Sequence, residues 1–331
     1  MIKIISTIGD PNGIGIECLV KAINYLNENC SWFLNIDLHI AGNSNIIEDY
    51  LKKINFKFSI DDDSLIINKR KFKILPATEN HEIEFGKIDQ SAGLVSAHSI
   101  EYSTTECTKQ NYDIMLTMPI SKEAIRLAGW KFPGHTEMIA SAFEEKHPLM
   151  ILFHENIRVA LVTFHTPVKE LPYEVTYNRI IHIGTVFHHS LKYDFGIEKP
   201  RIAVLGLNPH AGENGNIGRE ELEIIIPAIR KLKEREINVE GAFSADGFFG
   251  FGKYTEYDGI LAMYHDQGLI PLKLLSKGEG VNFTANLPII RTSPDHGTAF
   301  EIAGKNVANP NSTIVAIRYA YLIYENRKKN G

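Results

Sequence analysis

The chain has 331 residues, 44% of them hydrophobic and 23% charged, with a formal net charge of −5. That is ordinary globular composition, long enough for two domains that each bury a core. The acidic balance and the lack of a long basic block argue against nucleic acid, although local Lys, Arg and His can still meet a small anion.

A strand pattern opens the chain at Lys3–Ile8, followed by a Gly-rich turn and a helical pattern over Glu17–Asn29. Leu38–Gly42 reads as a second strand. Asn55–Lys73, with Asp61–Asp63 inside it, is mixed in polarity and predicts surface hairpins or loops. Helical periodicity returns at Ser91–Gln110 and leads into a strand at Tyr112–Ile120. Leu149–His154 and Arg158–His165 read as a hairpin, and Arg179–Gly196 as a helix ending on a C-cap glycine. A strand at Arg201–His210, a helix at Arg219–Glu236 and a strand at Asp258–His265 follow. Alternation of this kind predicts an α/β fold with a largely parallel sheet. The division expected is a terminal domain of residues 1–130 plus 275–331 and a central domain of 131–274.

Cys18, Cys30 and Cys107 are scattered and odd in number, which suits neither a disulfide framework nor a zinc knuckle. No apolar run approaches the ~20 residues of a bilayer span, and the N-terminus shows no leader pattern. The expectation is a cytoplasmic protein with neither a membrane nor a nucleic-acid partner.

Three predicted strands end on a histidine: His165, His210 and His265. Ligands gather outside the carboxyl ends of strands in open α/β sheets. One histidine there is ordinarily a satisfied turn residue, but three imidazoles at one edge suit a divalent metal with an open coordination position. His210 sits in a Gly/Asn-rich loop, and Asp266 beside His265 can orient its ring. His188, His189, His39, His81 and His147 have no such context. Gly134, His135 and Thr136 open a helix, where exposed N–H groups cap or bind an anion. Lys273, Asn282 and Arg291 stand among apolar neighbours in segments that read as strands, as charges aimed into a cleft for a phosphate or carboxylate do. The first loop, Gly9–Glu17, fits neither G-x-G-x-x-G nor a P-loop and by itself reads only as a tight strand-to-helix turn.

Five segments then carry a resemblance: GDPNGIGIE, MPISKEAIRLAGWKFPGHTE, NPHAGENGNIGREE, MYHDQGLIPLK and GVNFTANLPIIRTSPDHGTAFEIAG. Together they resemble the 4-hydroxythreonine-4-phosphate dehydrogenases of pyridoxal phosphate biosynthesis, from Gly9 to about Asn309. DHGTAFEIAGKNVANP is also similar to the adenosine-binding loop of isocitrate and isopropylmalate dehydrogenases. The resemblance implies two α/β/α domains with a mixed, mostly parallel sheet, and an active site in the interdomain cleft at the interface of a homodimer. It implies NAD or NADP as cofactor and one divalent metal, Zn, Mg or Co, bound by His165 and His210 with His265 from the partner. It places the substrate on His135, Thr136, Lys273, Asn282 and Arg291. It implies that Asp246 faces the substrate, with Asp246 and Lys273 as the catalytic candidates, and that the cofactor's adenosine part lies on Asp295, His296, Gly297, Thr298 and Asn309. The implied reaction oxidises 4-phosphohydroxy-L-threonine to a β-keto acid that decarboxylates to 3-amino-2-oxopropyl phosphate. Ser121, where Asn is common, and Thr284–Asn286, where Thr-Leu-Gly is usual, depart from the family near the ligand and bear on fine specificity. A dehydrogenase of erythronate or threonate 4-phosphate is the alternative reading, and a non-redox phosphate acyltransferase a more distant one.

Overall fold

A computed structural model of the chain describes residues 1–132, 134–144 and 147–330. Its contacts divide the chain into two compact units, Met1–Pro148 with Leu287–Tyr321, and Leu149–Asn286 with Leu322–Gly331. Each unit has a mixed, mostly parallel sheet with helices, the α/β class expected.

In the first unit the strands run in the order Ile290–Pro294, Ile114–Leu116, Ile2–Thr7, Ile36–Gly42, Arg70–Pro76, Ser64–Ile67 and Ser59–Asp61. The first five pair in parallel and the last two add an antiparallel hairpin at the edge. Ile2–Thr7 is buried at all but one position, as a central parallel strand covered on both faces must be. The polar stretch Asn55–Lys73 is thus a hairpin, and Leu65, Ile67 and Phe72 tie it to the core. Only Ile114–Leu116 of the expected Tyr112–Ile120 strand is regular. Beyond it the Thr117 N–H donates to Thr292 O at 3.0 Å, the Thr7 hydroxyl accepts the Met118 N–H at 3.0 Å and Pro119 O accepts the Asp10 N–H at 2.9 Å. The helix Gln90–Thr108 lies against the sheet through small hydroxyl residues: Ser99 Oγ donates to Ala41 O at 2.6 Å and accepts the Ile8 N–H at 3.2 Å.

In the second unit the order is Val239–Phe243, Ile202–Leu205, Gly259–Ala262, Ile157–Leu161, Leu149–His154 and Val281–Ala285. The first four pair in parallel; the last two join antiparallel, the former through the expected hairpin. Helices cover both faces. Phe187 and Leu191 of helix Tyr177–Tyr193 lie against Gly259, whereas helix His265–Ser276 lies against Ala262, on the opposite face of the same strand. The second helix comes very close: a Cβ on Gly268 would stand 2.6 Å from Val159 Cγ1, so only glycine fits there.

That helix corrects the sequence reading. The segment after Ala262 is not a strand ending at His265 followed by a loop; the strand stops at Ala262 and His265 opens a helix that contains Lys273. Gly268 and Pro271 are poor helix formers. Leu269 and Leu272, three residues apart, nevertheless bury one face against Val159, Leu161, Leu205, Ile260 and Ala262. Packing outweighs propensity here. The strands before the other two histidines also stop short, at Leu161 and Leu205.

Candidate active site

The second unit gathers the histidines. His165, on the bend after strand Ile157–Leu161, and His265 have ring centroids 6.2 Å apart at 31°, with the Phe164 ring against both. Their strands are neighbours in the sheet, which brings the two strand ends together. His265 Nδ1 hydrogen-bonds Asp266 Oδ1 at 2.7 Å. This fixes the ring and leaves Nε2 as the nitrogen for a ligand. Behind them, Gln267 accepts the Met263 N–H at 2.7 Å and donates to Gly206 O at 2.5 Å. One side chain therefore ties the ends of strands Gly259–Ala262 and Ile202–Leu205.

His210 is exposed on the loop after strand Ile202–Leu205. It begins five consecutive residues with positive φ, His210, Ala211, Gly212, Glu213 and Asn214. Four of them carry a Cβ, and each such left-handed residue costs roughly 1–2 kcal/mol. The loop needs an external hold, and the carboxylate of Glu221 lies beneath it. Asp246 is exposed on the short helix Ala245–Gly250, and the Ser244 hydroxyl bonds its carboxylate. That bond, the Gly247 N–H and the charge of nearby His210 hold the Asp246 carboxyl below its ordinary range. Asn282 lies on strand Val281–Ala285, its Oδ1 buried without a partner among the described residues, and Lys273 is exposed on its helix. Among the described residues of a single chain, no group of three or more His, Cys, Asp or Glu is arranged to hold a metal ion. The donors themselves suit a nitrogen-liganded divalent metal: imidazoles beyond the strand ends, one of which, His265, has its other ring nitrogen held by a carboxylate.

The first unit builds a candidate anion site. Arg291, on strand Ile290–Pro294, is 2% exposed, and its Nε and Nη2 donate to Thr117 Oγ1 at 3.0 and 2.7 Å. Its Nη1 approaches Thr136 Oγ1 at 3.5 Å. Burial brings the guanidinium pKa down to about 10, opposed by Glu137, so it stays charged at neutral pH. His135 and Thr136 begin helix His135–Ala142. Burial, with the charges of Arg291 and Lys122, holds the His135 imidazole well below its ordinary pKa, and its Nε2 is buried without a partner among the described residues. A buried cation, a neutral imidazole and a helix N-terminus together favour a phosphate.

Two residues here escaped the sequence reading. Lys122 follows Ser121, whose Oγ accepts the Ala124 N–H at 3.2 Å and so caps helix Lys122–Leu127. Asp10 is fully buried in the first loop, one oxygen accepting the Asn12 N–H at 2.9 Å and the other without a partner among the described residues. Burial raises its carboxyl pKa to about 6. In sequence, Asp10 looked like an ordinary turn residue.

The same loop supports the segment expected to hold the cofactor. Ile14 N donates to Thr298 O at 3.0 Å, and Ser312 Oγ accepts the Asp295 N–H at 3.0 Å. His296 Nδ1 is within 3.0 Å of Gly297 O, while its Nε2 is buried and without a partner among the described residues; burial lowers its pKa. Gly297 is exposed beside it. Asn309 O accepts Cys18 Sγ at 3.7 Å, and Asn309 Oδ1 accepts the Asn311 N–H at 2.9 Å. Next to Asn309, buried Glu17 accepts the Ala308 N–H at 2.8 Å and pairs with Lys21 at 2.7 Å.

The family described as pyridoxal phosphate biosynthetic protein PdxA matches residues 35–320. A 4-hydroxythreonine-4-phosphate dehydrogenase of Sulfurihydrogenibium sp. (strain YO3AOP1) is 41% identical over 329 residues, covering 99% of this chain and 100% of its own. The chain belongs to the 4-hydroxythreonine-4-phosphate dehydrogenase family. The crystal structure of a 4-hydroxythreonine-4-phosphate dehydrogenase from Klebsiella pneumoniae superposes with a TM-score of 0.82 at 33% identity, covering 98% of this chain and 97% of the other. An isocitrate dehydrogenase from Methylococcus capsulatus is similar in fold alone, with a TM-score of 0.50 at 13% identity, covering 99% and 87% of the two chains. The family resemblance and the kinship of fold expected from the motifs are both found. No described helix is long and apolar enough to cross a membrane.

Proposed function

We propose that this chain oxidises 4-phosphohydroxy-L-threonine at C3 with NAD or NADP, giving 2-amino-3-oxo-4-phosphooxybutanoate, which decarboxylates to 3-amino-2-oxopropyl phosphate. The observation that carries the reading is the buried Arg291 beside a neutral His135 with an open Nε2, a built anion site in a chain of this family. His135, Thr136 and Arg291 hold the phosphate, and Lys273 and Asn282 are the further substrate-binding residues of the reading. The buried, unpaired Oδ1 of Asn282 suits a substrate amino group or hydroxyl as its donor.

His165 and His210, with His265 of the partner subunit, hold one divalent metal, Zn, Mg or Co. When bound, the metal supplies Lewis-acid polarisation of the C3 hydroxyl and the nicotinamide takes the hydride. Asp266 keeps the His265 ring oriented and Gln267 keeps the two strand ends aligned. Asp246, ionised at neutral pH, accepts the hydroxyl proton, with Lys273 as the second catalytic candidate. Asp295, His296, Gly297, Thr298 and Asn309 hold the adenosine part of the cofactor, where the unpaired Nε2 of His296 offers a hydrogen bond. A homodimer in the cytoplasm is part of the same reading. It is supported by apolar side chains left exposed in the second unit, with Leu274 at 73%, Ile270 at 56% and Phe251 at 92%.

The test is a substrate panel followed at the NADH absorbance, before and after exhaustive chelation. Preference for erythronate or threonate 4-phosphate would replace the substrate. Turnover untouched by chelation would remove the metal.

A further inference from the structure

We infer that Glu221 is the positioning residue for His210: its buried carboxylate clamps the left-handed loop that aims the His210 ring. The inference rests on the reading of His210 as a metal ligand. Glu221 is 2% exposed and sits in a π turn, Glu221–Ile225, that interrupts the expected regular helix just before Pro227. Single π turns of this kind gather at functional sites. Its Oε1 accepts the N–H groups of Leu207 and Asn208 at 2.7 and 2.8 Å, the residues that lead into the loop. Its Oε2 accepts Asn208 Nδ2 at 2.9 Å, and the same amide donates to Glu220 Oε2 at 2.7 Å.

The loop is shaped to the carboxylate as well. A Cβ on Gly212, where φ is +76°, would stand 2.5 Å from Glu221 Oε2. The chain therefore passes directly over the carboxylate at the centre of the five left-handed residues. Gly212 O then accepts the Ile217 N–H at 3.0 Å and closes the loop. Before it, Asn208 O accepts the Ala211 N–H at 3.1 Å and closes a turn around Pro209 and His210. His210 lies within that turn, with its backbone at φ 53°. A ring that must meet a metal within a few tenths of an ångström needs a backbone held in this way. Glu221 touches no reacting atom; it acts through His210.

The test uses the full-length protein and Co²⁺ alone, without substrate. Two variants attack the contact from opposite sides, Glu221→Gln and Gly212→Ala. Should one of them fail to fold, the other carries the test. Amide hydrogen exchange is read in peptides covering 206–216, with the strand Leu149–His154 as an internal standard for the intact fold. The expected result is exchange at least about tenfold faster in 206–216 alone, with Co²⁺ affinity reduced about 10- to 100-fold. Wild-type exchange in that segment overturns the clamp. Faster exchange with wild-type Co²⁺ affinity also overturns the positioning role, provided His210→Ala weakens Co²⁺ binding. If His210→Ala binds Co²⁺ as tightly as the wild type, the ligand reading fails on its own, and the exchange rates alone decide whether Glu221 holds the loop.

Discussion

His265 and Asp266, adjacent in sequence, are joined side chain to side chain by a 2.7 Å hydrogen bond between Nδ1 and Oδ1. The bond engages Nδ1 and leaves Nε2 as the nitrogen for a ligand, on a ring whose centroid is 6.2 Å from that of His165. Replacing Asp266 by Asn weakens the acceptor and allows the amide to turn its donor to the ring. Metal affinity, measured by Zn²⁺ or Co²⁺ titration without substrate, should fall about 10- to 100-fold. Unchanged affinity would show that Asp266 does not orient the ring.

The choice of subunit for His265 has its own test. His165→Ala and His265→Ala are each expected to be inactive, and mixed chains should recover activity in heterodimers if the ligands come from two subunits. The 6.2 Å spacing of the two rings within one chain describes the rival arrangement. Failure of the mixture to recover would establish that rival.

Arg291→Lys retains a charge but loses the planar fork that spans Thr117. Losing a charge-assisted contact of about 2–3 kcal/mol corresponds to a KM raised roughly 30- to 150-fold. Phosphate protection against thermal unfolding should vanish with it. A KM within twofold of the wild type would move the phosphate elsewhere.

Asp10 makes stability depend on pH. Its folded pKa of about 6 lies above the ordinary 3.8, so the native state binds the proton more tightly than the unfolded chain. The stability this contributes is fully present below pH 4 and is lost as pH rises through 6, on the order of 2–3 kcal/mol in all. Asp10→Asn has no such loss. In denaturant titrations its stability relative to the wild type should therefore rise between pH 4 and pH 7. A difference that stays flat across that range would contradict the raised pKa.

Gly268→Val places methyl groups where a Cβ alone already meets Val159 Cγ1 at 2.6 Å. The helix His265–Ser276 must lift from the sheet, at a cost of about 1–3 kcal/mol. The midpoint of unfolding should fall accordingly, and metal affinity with it, because His265 opens that helix. A variant as stable as the wild type would mean that the contact is soft.

Strand and helix alternation, readable along the chain, determined the α/β class, and the Gly/Asn loop and the HisAsp pair supplied candidate ligand positions. Composition and local period report on contacts between near neighbours, and those calls needed nothing more. The family too was legible, because its motifs are long and contiguous. Helix His265–Ser276 was not, since Gly268 and Pro271 argue against it locally and only the burial of Leu269 and Leu272 on the sheet overrides them. Nor were the roles of Asp10, Lys122, Gln267 and Glu221, polar residues within those motifs whose partners local spacing does not reveal. Each takes its meaning from groups distant in the chain, as Glu221 does from Leu207 and Asn208, and Gln267 from Gly206. A carboxylate's environment is made by packing, so only the tertiary structure could decide that one of these is a buried acid and another a clamp.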